Sequence, residues 1–583
     1  MSSVQTLLPG GCSARIEAVL QQLQTQQVLK RLWDQDASLW SSDHATQGLI
    51  RQRLGWLTIV GEMAKRTDAL RRFAADIRQA GFDRALLLGM GGSGLFAEVC
   101  REIFGTREGF DLVVLDTTDP TAIRAQQARS SLERLLIIVS SKSGSTSETS
   151  ALCRYFYDTL QSSGREPGAH FVAITDAGSS LEAQAKTLRF RSIFTNEQGS
   201  GAEVGGRFSA LTFFGLVPAA LIGLDLDQLL ARAEAMLRDS QAHAPLDRNP
   251  SAQLGAVLGG LAQAGRDKLT LICAPALASF GTWVEQLIAE STGKQGQGIA
   301  PIHGEPLRDA ASYAPDRVFV ELQLSDRIDP EIDRRVQALA SAGHPVVRVH
   351  WQDRYDLGGE VAKWSLATAI TGALLGVNPF DEPNVKESKD DTKALLDRYV
   401  REQRLSDAQV QIFSDHDVAI YGTAAGAATS LSSALEQFLR QRRTGDVIAV
   451  LSFLPRTPSL DAAIQALRLW LAERLGDATM LGIGPRYLHS TGQLFKGGSD
   501  RGLFLLFTAK ETNDLPIPGE PFSFGVLKHA QALGDFHAMQ HHGRRVLHLH
   551  LLGHPDDALR RIAQSFQEAL ATTPPRTPSA ARV

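Results

Sequence analysis

From about residue 81 the chain repeats a rhythm of short apolar runs separated by stretches of helical spacing. The first set is ALLLG (85–89), LVVLD (112–116), LLIIV (135–139) and FVAIT (171–175). KLTLICA (268–274), RVFVELQL (317–324) and PVVRVHW (345–351) form a second. DVAIYG (417–422), DVIAVLSFL (446–454), ATMLGIG (478–484), GLFLLFT (502–508) and RVLHLHL (545–551) form a third. Uninterrupted apolar runs mark strands buried on both faces, and the helices between them supply the cover, so the pattern predicts α/β architecture with doubly wound parallel sheets. Residues 1–80 read as a helical region, because IEAVLQQLQTQQVLKRLW and IRQRLGWLTIVGEMAKRTDALRRFAADIRQAG repeat apolar residues at three and four. The expected organisation is helical at 1–80, α/β domains at 81–240 and 241–395, a C-terminal α/β domain at 396–571, and a disordered Pro/Ser/Thr-rich tail at 572–583.

Composition narrows the function. With 43% hydrophobic residues in 583, sizeable cores are expected. A formal net charge of -4 argues against nucleic acid or a membrane surface as partner, but not against a small anion, which needs only local positive charge. The four cysteines, Cys12, Cys100, Cys153 and Cys273, show no paired spacing, so a reducing cytoplasm is expected and neither disulfides nor a zinc site. The N-terminus lacks a basic start followed by an apolar core, and no stretch approaches the ~18 apolar residues of a membrane span.

Two loops carry candidate chemistry. GMGGSG (89–94) directly follows a strand; its glycines, with Gly92 and Ser93, allow a ligand to approach the backbone at a helix N-terminus. Gly89, Gly91 and Gly94 also satisfy G-x-G-x-x-G, and Asp116 stands where a ribose-binding acid would, so a dinucleotide site stays open from this motif alone. The second loop, SSKSGSTSETSAL, follows the strand LLIIV. Ser141, Lys142, Ser143, Ser145, Thr146 and Thr149 gather hydroxyls and a cation where a strand enters a helix, a cradle suited to a phosphate monoester; an elaborate helix cap is the plain alternative. No G-x-x-x-x-G-K-[ST] is present, so this is not a nucleoside triphosphate loop.

GMGGS followed about fifty residues later by SKSGSTSET resembles the sugar-isomerase (SIS) domain of the phosphoglucose isomerase family. EVGGRFSALTFFGLVPAALIG (203–223), AESTGK (289–294) and, less closely, NPFDEPNVKESK (378–389) resemble later signatures of that family, in its order. RLWDQDASLW and RLGWL resemble the region before the isomerase part of fused transaldolase–isomerase proteins; no transaldolase part is seen. The resemblance implies two SIS-type domains and interconversion of glucose 6-phosphate and fructose 6-phosphate, with no metal or organic cofactor. The partners it implies are the sugar phosphate and a second copy of the chain in a homodimer. A related isomerase acting on mannose 6-phosphate and a non-catalytic sugar-phosphate sensor are the alternatives.

The same resemblance implies roles. Glu290 matches the base that moves a proton between carbons 2 and 1, Arg207 the cation beside the enediolate, and Lys389 a lysine assisting ring opening. Glu382 stands where the family commonly has glutamine, and Lys386 where it has an acid; a negative Glu382 near a phosphate is unfavourable unless Lys386 or Lys389 compensates. The family's ring-opening histidine is missing between Glu290 and Lys389, but PRYLHSTGQLFKGG (485–498) places His489 in a matching context. The C-terminal domain is therefore expected to supply His489, within one chain or across subunits, with Lys496, Gly497 and Gly498 as a flexible cationic segment closing over an anion. His537, His541, His542, His548 and His550 lack the spacing of a metal motif.

Overall fold

The structure is a computed structural model that describes residues 3–106, 109–129, 131–196, 203–405, 410–422 and 428–571; the tail expected to be disordered lies outside them. Among the described residues, sixteen strands form three sheets. In chain order they are β1 (Val4–Leu8), β2 (Arg84–Leu88), β3 (Asp111–Leu115), β4 (Leu135–Ser140), β5 (Phe171–Asp176), β6 (Ser192–Asn196), β7 (Lys268–Cys273), β8 (Ala300–Ile302), β9 (Arg317–Leu324), β10 (Val346–Trp351), β11 (Gln411–Ser414), β12 (Val418–Gly422), β13 (Val447–Phe453), β14 (Ala478–Ile483), β15 (Gly502–Ala509) and β16 (Arg545–Leu551). The first sheet, β3-β2-β4-β5-β6, is wholly parallel. The chain leaves β2 toward β3 and returns on the other side to β4, so a crevice opens at the carboxyl ends of β2 and β4, where α/β sheets bind ligands. Both glycine- and hydroxyl-rich loops leave from those two ends.

The second sheet, β1-β10-β9-β7-β8, corrects the expectation for residues 1–80. The chain begins with an edge strand, β1, antiparallel to β10 with Val4 opposite His350. Helices follow, among them Ser13–Thr25, His44–Gln52 and Thr67–Gln79. One apolar cluster runs from Ile16 through the first and second sheets to Phe380, so the N-terminal helices share the core of both. The third sheet, β11-β12-β16-β15-β13-β14, is mixed: four parallel strands, with β12 antiparallel to β16 and β11 antiparallel to β12.

The C-terminal body is seated on the rest. Leu515, Ile517 and Phe524 join the apolar cluster of Leu86, Leu88 and Phe156 in the first sheet. Ala300 and Ile302 of β8 belong to the cluster built by β13, β14 and β15. Fully burying large apolar side chains stabilises by about 1.5–3 kcal/mol each, so both contacts hold the C-terminal body against the loops that the sequence singles out.

Candidate active site

The loop after β2 and the segment around Arg207 meet at contact distance. A Cβ on Gly92 would lie 2.0 Å from the carbonyl oxygen of Gly206, and one on Gly91, whose φ is +51°, would lie 2.7 Å from that of His489. Only glycine fits either place. Ser93 is tied in through its carbonyl, which accepts from the Ser140 hydroxyl at 2.6 Å.

Arg207 lies in a short 3-10 turn, Gly206–Leu211, and is 3% exposed. Phe208 beside it stacks on Trp56 at 5.2 Å and packs against Phe380 at 5.3 Å, so the N-terminal helical region forms the floor. The guanidinium donates from Nε to Ser291 Oγ (2.9 Å), and from Nη2 to the carbonyls of Pro379 (2.6 Å) and Asp381 (2.7 Å). Nη1 lies between two carboxylates, 3.2 Å from Glu290 Oε1 and 3.1 Å from Glu382 Oε2. With its other nitrogens spent on the frame, Arg207 presents a fixed charge in one direction.

Glu290 lies near the end of the buried helix Ala278–Thr292. Burial pushes its carboxyl upward; Arg207 opposes that, and the negative Glu382 adds to it, leaving a net upward shift. Four residues back on the same helix face, Gln286 donates through Nε2 both to Glu290 Oε2 (3.1 Å) and to the backbone carbonyl of His489 (2.9 Å). One amide thus joins the base candidate to the C-terminal turn Arg486–His489 of the same chain.

The His489 imidazole pairs through Nε2 with Glu148 Oε1 at 2.8 Å. Glu148 is the second residue of the helix Ser147–Ser162 and is buried. Burial would raise its carboxyl, but the charge and hydrogen bond of His489, its own backbone amide and the Ser147 hydroxyl outweigh that and hold it at about 2. Gln531 Nε2 also donates to Glu148 Oε1, at 2.7 Å. A carboxylate only accepts, so in this pair Nε2 of His489 is the donor.

The cradle after β4 has its hydroxyls in place. Thr146 occupies the cap position of the helix Ser147–Ser162 but makes no side-chain cap bond, so the plain capping alternative fails there. Thr149 is buried with an unpartnered hydroxyl among the described residues. Ser141 Oγ lies 3.1 Å from Thr146 Oγ1 and accepts from the Gly144 amide, while Ser143 and Ser145 are exposed with their hydroxyls 2.9 Å apart. Lys142 departs from its expected place: its ammonium is held by Asp176 and Glu203, both at 2.9 Å, so its charge is already matched.

Four further expectations need correction. Asp116 is not free for a ribose, because Arg486 of the C-terminal body pairs with it at 2.5 Å. Glu382 is offset by Arg207 and by Arg53 (3.0 Å), not by Lys386 or Lys389, both of which are exposed; burial raises its carboxyl, but the two arginines bring it below the usual range. Lys389 lies on the outer face of the helix Pro383–Glu402 and takes no part in the hydrogen bonds that join Arg207, Glu290 and His489. Lys496 is fully buried against Asp535 at 2.5 Å, and Gly497 packs against Asn384, Gln493 and Gly293, so this segment is clamped rather than free to close. Sequence reasoning missed Glu148, Gln286, Gln531 and Arg53. Glu148 was inside the cradle motif, and Gln286 stands one helical turn before Glu290; that spacing was the available signal. Among the described residues no cluster of three or more His, Cys, Asp or Glu side chains is arranged to hold a metal, and no helix is long and apolar enough to cross a membrane.

Residues 60–299 match the family model described as phosphoglucose isomerase. Over that span the chain is similar to the phosphoglucose isomerase family. Arg207, Glu290, Glu148 and the cradle fall within the matched span; Glu382, Lys389 and His489 fall beyond it. The chain is 29% identical over 385 residues to a probable glucose-6-phosphate isomerase of Haloarcula marismortui, covering 60% of this chain and 86% of that relative. It is 29% identical over 358 residues to the glucose-6-phosphate isomerase of a Synechococcus strain, covering 54% of this chain and 66% of the relative. Among solved structures, a hypothetical protein from Thermus thermophilus superposes with a TM-score of 0.57 at 23% identity, over 67% of this chain and 99% of the other. A glucose-6-phosphate isomerase from Chlamydia trachomatis gives 0.55 at 18% identity, over 66% of this chain and 86% of the other. At these identities the structural likeness establishes the shared α/β fold.

Proposed function

We propose that this chain is a glucose-6-phosphate isomerase of the phosphoglucose isomerase family. The observation that carries the reading is the single amide of Gln286 joining Glu290 to the turn of His489, with Arg207 3.2 Å from the Glu290 carboxylate. The cradle of Ser141, Ser143, Ser145, Thr146 and Thr149, with the free amides of the helix Ser147–Ser162, holds the phosphate and so fixes the position of the sugar carbons. His489, steadied by Glu148, moves a proton between ring oxygen and hydroxyl to open the ring. Glu290, its basicity raised by burial, carries a proton between carbon 2 and carbon 1. Arg207 stabilises the negative oxygen of the cis-enediolate without giving up its own proton. Lys389 adds nothing to this scheme from where it stands.

The test is Glu290→Gln, assayed with fructose 6-phosphate in a coupled assay. Turnover is expected to fall by at least ~10²-fold with substrate binding nearly unchanged, since size and hydrogen bonding are kept and the base is lost. A variant keeping a tenth or more of the turnover refutes the assignment.

A further inference from the structure

The helix Ala278–Thr292 has a second polar face. Gln286 and Glu290 point to the active site, but Thr282 and Glu285 line a separate cavity of about 260 Å³. It lies outside the carboxyl ends of β8 and β14, the neighbouring edge strands of the second and third sheets, with His303 following β8 and Ile483 ending β14. Carboxyl ends of parallel strands are where α/β sheets bind ligands. Gly91, Tyr487 and Ser490 form the partition toward the active site, so the cavity lies directly behind the turn that carries His489.

The wall is polar and incompletely satisfied. The side-chain oxygen of Gln465 is buried with no partner among the described residues. Arg468 spends Nε and Nη2 on the Thr479 hydroxyl and on the carbonyls of Thr479 and His303. Its Nη1 lies near Gly304 at the cavity edge. The Glu285 carboxyl is raised to about 7 by burial, against the pull of Arg468 and Arg486. Arg486 is already neutralised by Glu98 and Asp116.

Each ligand class can be weighed against that wall. An anion finds one arginine already paired, the other largely spent, and the carboxyls of Asp116 and Glu285 facing it. A cation meets Arg468. An apolar group strands the Gln465 oxygen, which costs the full desolvation of a buried acceptor. The hydroxyl both donates and accepts, and so satisfies an amide oxygen, a guanidinium and a carboxyl at once. The volume equals that of several waters at about 30 Å³ each, room for a small carbon chain bearing several hydroxyls. We propose that this cavity is a binding site for a small, uncharged polyhydroxylated ligand, a sugar or polyol without phosphate. Such a ligand touches the reverse side of the His489 turn and does not compete for the phosphate cradle.

The experiment is calorimetric titration of the full chain with xylitol, glucitol and methyl glucoside, with the active site held saturated by fructose 6-phosphate. The acyclic probes and the cyclic one distinguish a polyol from a ring sugar. Saturable one-to-one binding of at least one probe is expected, at roughly millimolar Kd for so small a ligand. Thr282→Trp fills the cavity and abolishes binding; Gln465→Leu, on the surface side of the wall, weakens it about five-fold, the loss of one hydrogen bond. Both variants keep their isomerase turnover in the absence of probe. No saturable binding by any of the three probes, or binding unaltered in both variants, overturns the proposal.

Discussion

At the scale of single residues, Arg207 Nη1 sits between Glu290 and Glu382, and the second carboxylate alters the first. Glu382 draws part of the charge of Arg207 and adds its own negative field, and both effects raise the Glu290 carboxyl. Glu382→Gln removes both. The acid limb of the kcat/KM profile, set by the free base, is expected to move to lower pH. An unmoved limb shows that Glu382 does not tune the base. Glu148 makes a stability prediction. Its folded value, about 2, lies below the ordinary 4.5, so its contribution is fully present above about pH 4.5 and is lost as pH falls toward 2. The stability gap between wild type and Glu148→Gln, read from urea unfolding, is therefore expected to narrow between pH 4.5 and the most acidic accessible pH. Arg207, Glu290 and the turn of His489, which the structure brings together, each sit in a run of residues that stands out in the sequence. Glu148, Gln286 and Arg53 were not legible, because each acts on another side chain, and only folding shows which one. The same reason accounts for Lys142 and Lys389: sequence shows that a charge is near a motif, not which acid already holds it or which way its helix faces.

At the scale of elements, the turn Arg486–His489 depends on a buried carboxylate further along the chain. Asp535, on the helix Phe524–His541, accepts from the Tyr487 hydroxyl (2.7 Å), Lys496 Nζ (2.5 Å) and the Ser388 hydroxyl (3.0 Å). Both flanks of His489 are thereby fixed to one point, which also anchors the helix Pro383–Glu402. Asp535→Asn keeps the hydroxyl contacts but leaves Lys496 a buried, unmatched charge, a type of change that costs about 3–5 kcal/mol. In the fraction that folds, reaction of the cyclic substrate is expected to slow roughly ten-fold or more relative to an open-chain analogue, because a displaced imidazole impairs ring opening before it impairs proton transfer. Equal slowing of both substrates would mean that Asp535 serves stability alone. The elements legible in the sequence were those buried on both faces: β2, β4, β9, β13 and β15 coincide closely with the apolar runs. β1 and β6 are partly exposed, β8 has three residues and β11 four, so none offers a run long or apolar enough to stand out.

At the scale of the whole molecule, all three sheets contribute to one site. Glu148 comes from the helix after β4 of the first sheet, Glu290 from the helix between β7 and β8 of the second, and His489 from the segment after β14 of the third. The apolar contacts of Leu515, Ile517 and Phe524 on the first sheet, and of Ala300 and Ile302 with the third, make this arrangement a property of the folded chain. Sequence left open whether His489 reaches its own chain or a neighbour; the 2.8 Å pair with Glu148 and the Gln286 bridge form within one chain. Glu148, Gln286, Glu290, Arg207 and His489 are thus brought together by one chain. Two inactive chains, Glu290→Gln and His489→Ala, can therefore be unfolded together, refolded as a mixture and assayed. If sites were shared between subunits of a dimer, random pairing would restore about a quarter of them, because half the dimers are mixed and each mixed dimer carries one intact site. With each site drawn from a single chain, no pairing yields an intact one, and the mixture is expected to remain as inactive as its components. Recovery near a quarter would show that His489 crosses between subunits.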